Sequence, residues 1–141
     1  MILYKGSKLN MIPFQPQPIH PDDYHKFPKP IPEKAIFASE SEIKAKIFAT
    51  FSTLIPFGTS TTADNPNITI TLEGKIDTEP LKEKVYIYKF DSEQQGWEYI
   101  KESREWYNTK QQIPIEIEEY TRETLYKELR GNPEILFKED V

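Results

Sequence analysis

The sequence predicts an α+β domain with antiparallel-rich sheets and two main helices. Three observations carry this. Residues 40–52 have the apolar spacing of a helix. The second half strings apolar and alternating segments together without helices between them. A last helix signal then closes at Gly131. The 141 residues show no break in composition, so one domain over 1–141 is expected.

The elements follow in order. Residues 2–4 are apolar or aromatic and run into Gly6-Ser7, which reads as a short strand and a turn. Residues 11–34 hold seven of the twelve prolines. Proline fixes φ and removes a donor, so this stretch is a long loop or a lid rather than helix or inner strand. Ala35-Ile36-Phe37-Ala38 is a buried-type strand. Ser39 and Glu42 make an S-x-x-E capping box, and Ile43, Ile47, Phe48 and Phe51 form one apolar helical face behind it.

Residues 56–67 are rich in Gly, Ser, Thr, Asn and Pro and read as a loop. Ile68, Ile70 and Leu72 alternate with threonines in a half-buried strand. Residues 85–90, Val-Tyr-Ile-Tyr-Lys-Phe, are apolar on nearly both faces and belong in the middle of a sheet. Residues 96–100 read as a short strand or turn. Ile113, Ile115 and Ile117 alternate with Pro114, Glu116 and Glu118, and the proline demotes that strand to an edge or a strand start. Thr121 caps the last helix, Leu125, Tyr126 and Leu129 bury one face of it, and Gly131 and Pro133 end it. Residues 134–141 mix a short apolar run with an acidic tail.

Composition narrows the function. The net charge of −5 and pI near 5.2 disfavour a duplex-DNA reader, which carries a basic face, but leave room for a small nucleotide ligand. There is no cysteine, hence no disulfide, thiol nucleophile or zinc-thiolate site. The opening Met1-Ile2-Leu3-Tyr4-Lys5-Gly6 lacks a signal-peptide pattern, and no apolar run approaches the ~20 residues of a membrane span. A cytoplasmic protein that meets no membrane is the expectation. No P-loop, Rossmann glycine pattern or nucleophile elbow is present.

Four segments in order carry a resemblance: LYKGS at 3–7, AIFASESEIKAKIFAT at 35–50, VYIYKFD at 85–91 and SREWYNTKQQIPIEIEEYT at 103–121. This layout resembles the ADP-ribosyltransferase-like superfamily, including its small bacterial members and the RNA 2′-phosphotransferases. The resemblance implies bent, split sheets around a cleft that holds NAD or a related nucleotide, with ADP-ribosyl transfer to a macromolecule as the activity. It departs at the first motif, where the family's ribose-holding histidine falls on Lys5. Lysine has no acceptor and cannot copy a neutral imidazole, but it can meet a phosphate.

The candidate residues follow. Tyr4, Lys5, Gly6 and Ser7 occupy the first motif, Gly6 for close backbone approach and Lys5 and Ser7 for a phosphate. The ordinary alternative is a turn with a solvated lysine. Ser39 stands before a helix N-terminus, an anion site in principle, although Glu40 and Glu42 favour a plain cap. Thr59 and Ser60, with Thr61 and Thr62, make a hydroxyl-rich loop similar to the serine-threonine-serine segment that shapes the nicotinamide pocket in some ADP-ribosyltransferases. Low-complexity turn composition is the ordinary explanation. Glu105, beside Trp106, is the candidate catalytic carboxylate that would bond ribose hydroxyls and stabilise an oxocarbenium-like centre. Glu98, Glu102, Glu116 and Glu118 compete for that role, and Trp106 reads as a packing residue. His20, Asp22, Asp23 and His25 are metal-capable types in the proline-rich loop, where solvated polar residues are the ordinary explanation.

Two functions of different class therefore stand. One is a nucleotide-binding domain of the NAD type that transfers ADP-ribose. The other is a non-catalytic binding protein, of the kind a phage or mobile element carries, that sequesters a ligand or blocks a partner protein. The aromatic-bearing loop around Tyr24 and Phe27 would be its contact surface.

Overall fold

The computed structural model describes residues 1–61 and 67–140. Ten strands and two α-helices succeed one another as β1 (Ile2–Ser7), β2 (Gln17–Pro18), β3 (Lys34–Ser39), α1 (Glu42–Phe51), β4 (Phe57–Ser60), β5 (Ile68–Glu73), β6 (Lys84–Asp91), β7 (Glu98–Ile100), β8 (Glu105–Asn108), β9 (Glu116–Thr121), α2 (Arg122–Arg130) and β10 (Ile135–Asp140). Two 3-10 segments, Pro21–Lys26 and Glu79–Lys82, lie in connections. The protein is an α+β domain with antiparallel-rich sheets, as expected.

The large sheet runs β7-β8-β3-β1-β6-β9, with β2 paired to β3 beside this path. Every pairing in it is antiparallel. β6 lies inside the sheet between β1 and β9, with Val85, Ile87, Tyr88 and Phe90 fully enclosed. The small sheet runs β10-β5-β4, and its β10–β5 pair is parallel.

α1 is buried on two faces rather than one. Ala45 and Ala49 pack with Val85 and Ile87 of the large sheet and Leu125 of α2, while Ile47 and Phe51 pack with Ile70, Leu72 and Ile135 of the small sheet. Gly6 makes the first contact possible. A Cβ there would lie 2.1 Å from the Ala45 carbonyl oxygen and 2.9 Å from the Ala49 Cβ. Gly6 is therefore a packing residue inside β1, paired with Ile87 of β6, and not the turn read from the sequence.

Strand alternation sends Leu3 and Lys5 to the opposite face of the large sheet. The proline-rich segment covers that face. Phe14 is fully buried edge-on against Tyr88, 4.7 Å between ring centroids, and its backbone bridges Gln112. Ile19 and Phe27 are buried with Ala35, Ile100 and Tyr107. Residues 11–34 are thus anchored at three apolar points and at β2, with cis peptides before Pro13 and Pro30. Phe27, offered as part of a contact surface, is core at 7% exposure, while Tyr24 is exposed.

Other expectations change. Ile113 and Ile115 are exposed, and the strand begins only at Glu116. The expected loop at 56–67 contains β4 over Phe57–Ser60. Residues 62–66, including Thr62, lie outside the described residues. The tail forms β10. No helix among the described residues is long and apolar enough to cross a membrane.

Candidate functional site

A cleft opens where the large sheet splits. β1 and β3 share one register pair, Tyr4↔Ser39, and β3 continues the row through Ser39↔Glu105 on β8. Tyr4, Ser39 and Glu105 therefore stand side by side across three strands. A cleft of about 330 Å³ lies over this row, a size suited to a small ligand. Lys5, Gly6 and Thr59 join its wall from β1 and β4, and Phe37 and Ala38 from β3. Ser7 and Ser60 do not line it. The Ser7 Oγ instead accepts from the Leu9 N–H at 3.1 Å, and Ser60 pairs with Thr69 on β5.

The charge of the cleft is opposite to that of the chain. Lys5, Lys26, Lys44 and Arg104 line it against two carboxylates, Asp23 and Glu105, in a protein of net charge −5. Such a local surplus attracts anions whatever the global balance.

Lys5 bridges the split. Its Nζ donates to the Phe37 carbonyl at 3.1 Å and lies 5.5 Å from the centroid of the Phe14 ring. Burial pushes its amine down from the usual 10.5 to about 8, with the Glu105 charge opposing the shift. Glu105 is held by Lys26 of the proline-rich segment, Nζ to Oε1 at 2.8 Å, and the same ammonium reaches Asp23 at 3.0 Å. Burial works against the charge of Lys26, but its bonds to Glu105 and Asp23 raise its pKa.

Among the five glutamates weighed for the catalytic role, only Glu105 lines the cleft. Glu98 accepts from the Tyr107 hydroxyl, Glu116 and Glu118 hold Lys89 at 3.2 and 2.6 Å, and Glu102 is exposed. Trp106 is half-buried against the core cluster around Phe14 and Phe90.

The Ser39–Glu42 capping box expected from the sequence does not form, because the helix begins two residues later and its third residue is Lys44. Ser41 is the N-cap of α1 and its Oγ accepts from the Lys44 N–H at 3.2 Å. The Ser39 Oγ accepts from the Ser41 N–H at 3.1 Å and so shapes the bend from strand to helix. Glu42 lies 3.5 Å from Lys46.

Several cleft residues carried no functional signal in the sequence. Lys26 reaches a partner 79 positions away, which no local pattern announces. Phe48 fits the helical apolar face, yet its ring is 51% exposed at the cleft, edge-on to Phe57 at 5.6 Å. The Ser103 Oγ is buried without a hydrogen-bond partner among the described residues. Arg104 has φ +56°, a left-handed conformation in which a long side chain is strained.

The metal-capable residues do not converge. No group of three or more such side chains forms among the described residues, and the His20 Nδ1 accepts from the Asp22 N–H at 3.2 Å. Comparison of the chain with protein-family models, with curated proteins and with solved structures gives no match in any of the three.

Proposed function

We propose that the cleft binds a nucleotide of the NAD class and that its chemistry, where it has one, is ADP-ribosyl transfer. One observation carries the reading: Lys5, Ser39 and Glu105, drawn from distant segments, share one cleft in which cations outnumber acids four to two. The lining fits the ligand piece by piece. Lys44 and Arg104 meet a diphosphate. The open ring of Phe48, one helical turn beyond Lys44, offers a face to a base. The unpartnered Ser103 Oγ matches a ribose hydroxyl or a phosphate oxygen. Glu105 is the carboxylate able to approach a ribose carbon as nicotinamide departs and positive charge develops there.

Calorimetric titration with NAD, ADP and pyrophosphate tests the binding. A dissociation constant below about 1 mM is expected, weakened at least tenfold by Lys44→Glu or Arg104→Glu, because each reversal adds two units of repulsion. No heat with any of the three at millimolar concentration would refute the reading.

A second reading has its own observation. Glu105 is neutralised by Lys26, and Lys5 stands where an imidazole would be needed. Both favour a binder that holds its ligand without turning it over. Labelled NAD that is retained but neither hydrolysed nor transferred would select this reading. Label transferred by wild type and lost in Glu105→Ala would exclude it.

A further inference from the structure

Lys5 is a half-buried lysine in the wall of the cleft. Among the described residues no carboxylate forms an ion pair with it, because the two acids of the cleft, Asp23 and Glu105, are both bonded to Lys26. Its one polar contact is the Phe37 carbonyl, and an aromatic ring lies beneath it. Of the other groups around it, Lys44 on α1 and Arg104 in the β7–β8 turn are cations. Tyr88, its register partner on β6, is bonded through its hydroxyl to the Leu9 carbonyl. An amine withdrawn from water, bonded to a carbonyl and set over an aromatic ring is disposed to be neutral even with the Glu105 charge opposing, and a neutral amine is a nucleophile.

We propose that Lys5 condenses with the carbonyl carbon of a phosphorylated aldehyde or ketone drawn into the cleft by Lys26, Lys44 and Arg104. The Lys5 Nζ lone pair forms the C–N bond as the carbonyl π pair moves to oxygen. The resulting carbinolamine loses water, with both amine hydrogens leaving on that oxygen, and an imine remains. The balance needs no oxidant, reductant or second substrate. The amine's value near 8 leaves roughly a quarter of it neutral at pH 7.5, against about one part in a thousand for an ordinary lysine. This inference goes beyond nucleotide binding, since it requires neither ribose nor base.

Pyridoxal 5′-phosphate is the probe. The full chain is exposed to it at pH 7.5, reduced with borohydride, digested and mapped by mass spectrometry. The adduct is expected on Lys5 at least tenfold faster than on Lys127 or Lys84, whose side chains are 75% and 64% exposed. Its rate rises with pH to a midpoint near 8, inorganic phosphate slows it, and Lys5→Arg abolishes it. Labelling of Lys5 no faster than of Lys127 overturns the proposal. Equal labelling by pyridoxal without its phosphate overturns the anionic ligand class. The site map and phosphate competition are read on wild type, so they stand even if the variant fails to fold. A protein that binds NAD without labelling Lys5, or labels Lys5 without binding NAD, separates this inference from the nucleotide reading.

Discussion

Arg122 and Lys5 are two cations held in opposite ways. Arg122, at the start of α2, is fully enclosed. Its Nη1 donates to the Ser52 carbonyl, to the Thr50 carbonyl at 3.4 Å and to the Thr53 Oγ1 at 2.9 Å, and its Nη2 meets Glu83 at 2.9 Å. These partners lie at the end and exit of α1, where Thr53 sits at φ +75°, and just before β6. Arg122 thus fastens three segments with most of its donors in use. Lys5 has three donors, and one meets a carbonyl. The lesson is that burial alone does not say what a charge is for. A cation bonded to several segments holds a scaffold together even with its Nε left unpartnered among the described residues, whereas one with a single bond beside a cleft is available for chemistry.

The strongest way to sharpen the contrast is to remove Arg122. Arg122→Met is expected to cost about 3–5 kcal/mol in urea unfolding, because buried carbonyls of α1 lose their donor. Gly6→Ala comes next, at about 1–3 kcal/mol, since the new methyl meets helix backbone and α1 must retreat. Any nucleotide affinity should fall with it, because Ala45 of the retreating helix lines the cleft. Arg104→Gly should run the other way, gaining up to about 1 kcal/mol by relieving a left-handed residue while weakening anion binding. A variant that gains stability and keeps its affinity would remove Arg104 from the site.

The smallest effect is a pH dependence. Lys5 releases its proton near 8 when folded and near 10.5 when unfolded, so the unfolded chain binds more protons between those values. The stability contributed by this site therefore rises with pH across that window. The difference between wild type and Lys5→Met should grow correspondingly, read from denaturation midpoints at pH 7, 8, 9 and 10. A constant difference would mean that the amine is not held low.

Local signals proved readable and distant ones did not. The periodicity of Ile43, Ile47 and Phe51 places α1, and Thr121 with Gly131 bounds α2, because each is a near-neighbour pattern. Which serine caps α1 was not readable, since Ser39 and Ser41 both fit a helix entrance and only the path of the chain decides. The alternation of Ile113 and Ile115 misleads because both side chains remain in solvent. β10 escapes notice because its parallel partner β5 lies far back along the chain. Proline content ruled regular structure out of residues 11–34, but it could not foretell that Phe14, Ile19 and Phe27 pin the segment or that Lys26 reaches Glu105. In the cleft, Lys5 and Glu105 were named through the family resemblance, and Ser39 through its place at a helix entrance. Phe48, Ser103 and Lys26 became meaningful only through the neighbours that folding gave them.

The row that joins Tyr4, Ser39 and Glu105 makes the hairpin linker at 101–104 a selector of chemistry. Lengthening or shortening it by one residue would slide β8 past β3 and present a guanidinium or an indole where the carboxylate now stands. Such a slip would also turn Tyr107 and Asn108 out of their buried places, so the identity of the group facing the ligand is tied to the packing beneath it and the two can change only together.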